Sequence, residues 1–358
     1  MPFIRLLFTL VAFAAFDAAL GFETGPARAQ AGGWPRTIES VAGKTTLAAK
    51  PRRVVSTTPS VTGILLAIDA PLIASAATTP SPLTDAKGFF SQWAEAADRK
   101  GVKVLYPNVN FDIEAVIGAK PDLVILSATG RDSALSHRAE LEALGIPSIV
   151  VDYSTQSWQD LATQLGKALG LEAEASAAIA RFDADLAQAA QTIDTRGARV
   201  TVVGYNIAGS YSVARPTSPV ARLLETLGFA VVPVPPALQP DSARASDFTF
   251  FSRENLSAAI TGDAVFLLRG TDKDVKAFLA EPVLANHPAV LGQRVYPLGV
   301  TSFRIDPYSG RQVIETVRAA FASARSAEVD AGSAQESASK KKPGTDPDRE
   351  VVGIGSRP

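Results

Sequence analysis
The apolar positions of this chain fall in short runs that alternate with segments of helical period. Arg53-Val54-Val55-Ser56 is the first β-rich run, and Thr57-Thr58-Pro59-Ser60 is the small polar turn after it. A helix is expected from about Val61 to Ile68. Strand, small polar turn, helix is how an α/β sheet presents a ligand edge, because clefts form at the carboxyl ends of parallel strands. Pro71 to Ala76 reads as a second strand ending in Ala77-Thr78-Thr79-Pro80, and Phe89, Phe90 and Trp93 lie on a helical segment. Phe111 to Ala119 is helical, with Asp112 and Glu114 in the first turn where negative charge suits the helix dipole. Leu123 to Leu126 is a buried strand by its unbroken apolar run. Ser133 to Leu144 is helical, Gly145 stops it, and Ile146 to Val151 is the next strand. Ser157, with Asp160 three residues on, caps a helix from Trp158 to Leu169 that Gly170 ends. Before all this, Gly32 to Ala49 is polar and loop-like, with strand potential at Arg36–Ser40.

The stretch from Glu172 to Ile193 contains no Gly and no Pro, and Ala178, Ile179, Phe182, Leu186, Ala189, Ala190 and Ile193 recur at helical spacing. A helix of this length spans roughly 33 Å. Beyond it the same grammar returns. Strands are expected at Ala198–Val203, Ser210–Arg215, Phe229–Val234, Ala264–Leu268 and Gln293–Leu298. Helices are expected at Pro219–Leu227, Arg253–Ile260, Val275–Ala280 and Tyr308–Ala324, and residues 235–247 form a Pro/Ala/Ser-rich loop. FDIEAVIGAKPDLVILS from Phe111 and FSRENLSAAITGDAVFLLR from Phe251 share one design of capped helix, break and buried strand. The expected fold is therefore α/β: two lobes with central, mostly parallel sheets, joined by one long helix.

Five segments follow. Residues 1–29 read as an export signal, with Arg5, the apolar run Leu6 to Phe16, and Ala27-Arg28-Ala29 as a cleavage site near Ala29. Asp17 interrupts the run short of a membrane span. Residues 34–156 are the N-terminal lobe, 157–194 the linking helices, and 195–325 the C-terminal lobe. Residues 326–358 have almost no large apolar side chain and read as a disordered tail.

Composition narrows the function. The net charge is −1, with no basic excess, so nucleic acid is not an expected partner. There is no cysteine, which excludes both disulfides and a lipid-anchored cysteine. A free periplasmic monomer is the expectation. Two histidines, His137 and His287, leave a zinc site short of ligands, and both read as surface or capping residues. No G-x-S-x-G elbow, Walker A loop or G-x-G-x-x-G after the first strand occurs, so hydrolase and nucleotide-binding chemistry lack support. An exported hydrolase remains a remote alternative.

Binding chemistry remains. Strand-end turns in the first lobe carry small polar residues; in the second they carry Tyr205, Arg215, Arg269 and Arg304. Arginines aimed at one cleft suit a ligand of high negative charge, because guanidinium stays ionised and donates paired hydrogen bonds. Tyr205, Tyr211 and Phe303 add flat surfaces for a conjugated ligand.

The stretches TGILLAIDAPLIASAATTP from Thr62, PDLVILSATGRDSAL from Pro121, SWQDLATQLG from Ser157, ENLSAAITGDAVFLL from Glu254 and RVYPLGVTSFRIDPYSG from Arg294 carry a resemblance. They resemble the ferric-enterobactin branch of the long-helix class of substrate-binding proteins, which deliver ferric siderophores, haem or cobalamin to ABC importers. The resemblance spans about residues 34 to 324. It implies two α/β lobes with little hinge closure, no enzyme activity, no protein cofactor, and iron held inside the siderophore. It makes Arg304 in TSFRIDPYS the leading ligand contact. Near Val213-Ala214-Arg215-Pro216 the branch's aromatic residue is missing, and its basic residue after ATTP is not matched in Ser81-Pro82-Leu83. Arg131, Arg253 and Arg269 stand as replacements. Haem, cobalamin or a hydroxamate siderophore is the alternative ligand; for haem, only Tyr205, Tyr211 or Tyr308 would be available as axial ligand. Members of the class also dock their importer through a glutamate on the first helix of each lobe. Gly63 stands at that place in the first lobe, as in the enterobactin branch, so the docking contact there must differ, and Glu225 is the candidate in the second.

Overall fold
The structure is a computed structural model and describes residues 33–207, 209–239 and 247–322. The expected export signal and tail lie outside these residues. The fold is mixed α/β, with a hairpin and two sheets. Strands β1 (Arg36–Ser40) and β2 (Gly43–Leu47) pair antiparallel. The second of these strands stands where the polar Gly-Lys-Thr-Thr run predicts loop; pairing with β1 makes it one arm of a hairpin.

The first sheet is built from β3 (Val54–Ser56), α1 (Pro59–Ala67), β4 (Leu72–Ser75), α2 (Ser91–Arg99), β5 (Lys103–Val104), α3 (Ile113–Ala119), β6 (Leu123–Ser127), α4 (Arg138–Ala143) and β7 (Ser148–Val151). Its strands run β5-β4-β3-β6-β7, every pair parallel. The chain starts in the middle, winds out to one edge, then crosses to the other side of β3. The order therefore reverses between β3 and β6, and a crevice opens outside their carboxyl ends. The strands read as unbroken apolar runs because both faces are covered.

Helix α5 (Trp158–Leu169) starts at a capping box between Ser157 and Asp160 and ends at Gly170 with φ +63°. Helix α6 (Glu172–Thr192) follows, 21 residues and roughly 30 Å long. Its buried stripe is Ala175, Ala178, Phe182, Leu186 and Ala189. Phe182 packs edge-on against Trp158, 5.1 Å between ring centres.

The second sheet is built from β8 (Arg199–Ile207), β9 (Ser210–Ala214), α7 (Pro219–Thr226), β10 (Ala230–Val231), β11 (Phe248–Phe251), α8 (Leu256–Ala259), β12 (Ala264–Leu267), α9 (Asp272–Leu279), α10 (Pro288–Leu291), β13 (Val295–Pro297) and α11 (Pro307–Phe321). Its order is β11-β9-β8-β12-β13, with β10 also on β8. Strands β8, β10, β12 and β13 are mutually parallel; β9 alone runs against them, pairing antiparallel with β8 on one side and with β11 on the other. This is where the sequence reading departs most from the structure. Gly204-Tyr205-Asn206 was expected to be a turn. Instead β8 runs on to Ile207, with Asn206 inside it at φ +49°, and Gly209 at φ +81° precedes β9. Phe248–Phe251 was not expected as a strand, because Phe-Thr-Phe-Phe has no clean alternation.

Helix α11 ties the two halves together. It packs on α6, α1 and α2. Its N-cap, Asp306, is fully buried and accepts hydrogen bonds from the Tyr308 and Ser309 amides. Gly63 on α1 is buried against it: a Cβ there would stand 2.5 Å from Asp306 Oδ2 and 2.9 Å from Trp93 Cδ1. Gly63 is thus interior with no room for a glutamate side chain, in keeping with the expectation that the first-lobe docking contact lies elsewhere.

Candidate functional site
The carboxyl ends of the first sheet's strands carry Ser60, Thr78 and Thr79, Asn108 and Val109, Gly130 to Asp132, and Tyr153, one group after each of the five strands. All of them line one cleft of about 450 Å³. The far wall comes from the second half: Arg269 after β12, and Phe303 and Arg304 after β13. Four of the residues expected from sequence, Arg131, Arg269, Phe303 and Arg304, thus share one cavity.

Each of the two arginines from the second half lies over an aromatic ring. Arg304 Cζ is 4.1 Å from the centre of the Tyr153 ring, and Arg269 Cζ is 5.7 Å from that of Phe303. Phe303 in turn meets Phe90 edge-on at 5.1 Å, so an aromatic contact crosses the cleft. Flat cations on flat rings keep their charge while their faces are shielded from water. Arg304 Nη1 also donates to Asp247 Oδ2 at 3.3 Å. Arg131 is exposed and Arg269 half-buried, and among the described residues neither has an ion pair.

The ring beneath Arg304 is itself fixed. Tyr153 is buried and its hydroxyl donates to Asp132. Asp132 Oδ2 accepts from Thr58 Oγ1 at 2.6 Å and from the Ser60 amide at 3.3 Å. Burial, with the Asp132 charge beside it, pushes the Tyr153 phenol well above its usual range, so the ring stays a neutral donor. Gly130, at φ +82°, makes this possible: a Cβ there would overlap the Tyr153 hydroxyl. On the opposite rim Asn108 and Val109 both hold left-handed backbone, φ +60° and +50°. That conformation is costly for a β-branched residue. The Val109 amide donates to Ala77 O at 2.8 Å, and Thr79 Oγ1 donates to Asn108 Oδ1 at 2.9 Å.

The remaining expected residues lie elsewhere. Tyr205 and Tyr211 face each other 5.7 Å apart on the β8–β9 hairpin and pack on the core under that sheet. The Tyr205 hydroxyl donates to Glu281 at 2.8 Å, and Arg253 bonds the same carboxylate at 2.5 Å. Tyr205 lines a second pocket of about 220 Å³ that shares Arg269 with the cleft. Arg215 follows β9, half-buried, where its amide donates to Asp247 O at 2.8 Å. Glu225 is exposed on α7. His287 is buried as the cap of α10, and His137 stacks on Phe111 at 4.0 Å. Among the described residues no three His, Cys, Asp or Glu side chains gather to hold a metal.

Sequence reasoning passed over Tyr153, Asp132, Phe90 and Asp247. Tyr153 and Asp132 each follow a buried strand, so a rule that read every strand end, and not the basic ones alone, would have found both. Asp247 has no such signal, because the antiparallel strand that places it was itself not legible.

The family model described as Periplasmic binding protein matches residues 54–300. The chain is 40% identical over 302 residues to the ferric enterobactin-binding periplasmic protein FepB of Escherichia coli O6:H1, covering 83% of this chain and 94% of that protein. Among solved structures, holo-ViuP superposes with a TM-score of 0.76 at 39% identity, covering 82% of this chain and 98% of that one. The periplasmic catecholate-siderophore binding protein VctP of Vibrio cholerae is similar in fold, with a TM-score of 0.57 at 19% identity over 79% of this chain and 99% of that one.

Proposed function
The chain belongs to the periplasmic binding protein family, and on that premise we propose that it captures an anionic ferric catecholate siderophore and hands it to an ABC importer. The family is one of substrate-binding transport proteins and not of enzymes. The observation that carries the ligand class is the trio Arg131, Arg269 and Arg304 on one cavity, two of them on aromatic rings. An iron wrapped by catecholates carries net negative charge and presents flat rings. Guanidinium groups answer the first and the aromatic lining answers the second. Iron here is cargo, held by the siderophore's own oxygens. Among the described residues Asp132 is the one carboxylate on the lining, and its oxygens are taken up by Thr58, Ser60 and Tyr153.

The relative at 40% identity bears on the choice of catecholate: FepB is named for ferric enterobactin. The protein works as an exported periplasmic monomer, its signal removed near Ala29, and Glu225 on the exposed face of α7 belongs to the surface that meets the permease. The first-lobe contact comes from a residue other than Gly63, which is interior.

An equilibrium titration with ferric enterobactin, a ferric hydroxamate, haem and cobalamin, followed by intrinsic fluorescence, tests the reading. Submicromolar binding of the ferric catecholate and much weaker binding of the rest is the expected result. Tight binding of the hydroxamate with no response to any ferric catecholate would overturn the ligand class and leave the fold as it is.

A further inference from the structure
Arg304 is clamped from two sides. Beneath it lies Tyr153, which sets the plane of the guanidinium at 4.1 Å. A ring face fixes a plane but not a position within it, since a cation can slide or turn over the ring at little cost. Asp247 supplies the missing constraint. Its Oδ2 takes a hydrogen bond from Arg304 Nη1 at 3.3 Å, and its side chain is only 7% exposed.

Both ends of that bond are anchored by backbone. Asp247 immediately precedes β11, and its carbonyl accepts from the Arg215 amide at 2.8 Å, just beyond the pairing of Phe248 with Ala214. Arg304 O accepts from Ser309 Oγ at 2.6 Å in the first turn of α11. The pair therefore joins two rigid elements, and the bond is a single one: Asp247 Oδ1 and Arg304 Nε have no partner among the described residues. A pair built for stability alone would use the guanidinium fork in two parallel bonds. A single bond from one terminal nitrogen leaves the other free to turn to a ligand.

We propose that Asp247 is a positioning residue, which fixes the guanidinium of Arg304 on Tyr153 so that its other terminal nitrogen points at the anionic oxygens of the bound siderophore. This rests on the reading of the cleft as a siderophore site. The role is geometric: the hydrogen bond matters, and the negative charge does not, because a second anion beside an anionic ligand gains nothing for binding.

The test uses the full mature protein and ferric enterobactin as probe, with affinity read by calorimetry and folding by the ligand-free thermal midpoint. Asp247→Ala is expected to weaken binding about tenfold, the size of one lost charge-assisted hydrogen bond. Asp247→Asn keeps an acceptor oxygen without the charge and is expected to bind within about threefold of the parent. In an Arg304→Ala background, Asp247→Ala is expected to have no further effect on affinity, since the residue acts through Arg304. If Asp247→Ala does not fold, Asp247→Glu keeps the charge but moves it by one methylene, and the proposal expects it to bind more weakly than Asp247→Asn. Parent affinity in Asp247→Ala, or in Asp247→Glu, alongside weak binding in Arg304→Ala overturns the positioning role and leaves the site reading standing. Parent affinity in Arg304→Ala overturns the site reading, and this inference with it.

Discussion

Arg304 and Tyr153 come from opposite walls of the cleft and meet face to face, 4.1 Å from guanidinium carbon to ring centre. The ring is held by its hydroxyl on Asp132 and the cation by Asp247, so the contact is fixed from both sides. Replacing Tyr153 by Leu removes the ring face, and ferric catecholate affinity should fall by about 1 kcal/mol, within the range of a partly desolvated cation–π contact. Tyr153→Phe keeps the face and loses the bond to Asp132, so its cost should appear in the thermal midpoint more than in affinity. Calorimetry and a melting curve on the two variants separate the effects. Equal affinity loss in both would contradict the stacking role.

Gly130 bears on the same contact through sterics. At φ +82° an L side chain is strained, and a Cβ would overlap the Tyr153 hydroxyl. Gly130→Ala should lower stability by about 1–3 kcal/mol and weaken binding by displacing the ring. A denaturant melt reads the first, a titration the second. An unchanged midpoint would mean that the loop has another conformation.

Gly63 gives a prediction about the glutamate that other members of the class carry at this place. Glutamate at this position would be forced onto Asp306 Oδ2 and Trp93. Gly63→Glu should therefore destabilise the fold by more than about 3 kcal/mol, through overpacking and a second buried carboxylate. It should not create a docking contact. A folded variant of near-parent stability with improved transport would contradict this.

Stability should depend on pH through Asp306. Complete burial raises its carboxyl to about 6, against hydrogen bonds from the Ser309 and Tyr308 amides that pull it down. A carboxyl raised in the folded state binds its proton more tightly there than in the unfolded chain. Its contribution is fully present below the unfolded value near 3.8 and is lost as pH rises through about 6. The loss is roughly 3 kcal/mol, at about 1.4 kcal/mol per unit. Asp306→Asn keeps a capping side chain and should abolish this slope. Melting both proteins from pH 4 to 8 and taking their difference isolates it from carboxylates shifted the other way, such as Asp152 and Glu281.

Much of this architecture was legible because its signals are local. The Ser157–Asp160 box and Gly170 bracket α5 at the expected residues, and the unbroken apolar run Leu123–Leu126 is β6 but for one residue at its end. The long helix ends one residue short of expectation, with its stripe on Phe182 and Leu186. Signals that depend on partners were lost. Strand β11 exists because β9 offers it an edge, and Phe-Thr-Phe-Phe alone does not announce that. Strand β10 keeps only two of the six residues expected, because only Ala230 and Val231 find pairing on β8. In the cleft, basic residues at strand ends were visible as charge in apolar surroundings. The aromatic and acidic residues that orient them were not, since Tyr153 and Asp247 reach Arg304 only through the fold.

The central claim is that the cleft binds an anionic ferric catecholate through its arginines, and Arg304 tests it most directly. Ferric enterobactin affinity of Arg304→Ala should be weaker than the parent's by about 1.5–3 kcal/mol, the cost of a lost charge-assisted hydrogen bond. The ligand-free thermal midpoint serves as the control for folding. Affinity equal to the parent's, in a folded variant, would contradict the account.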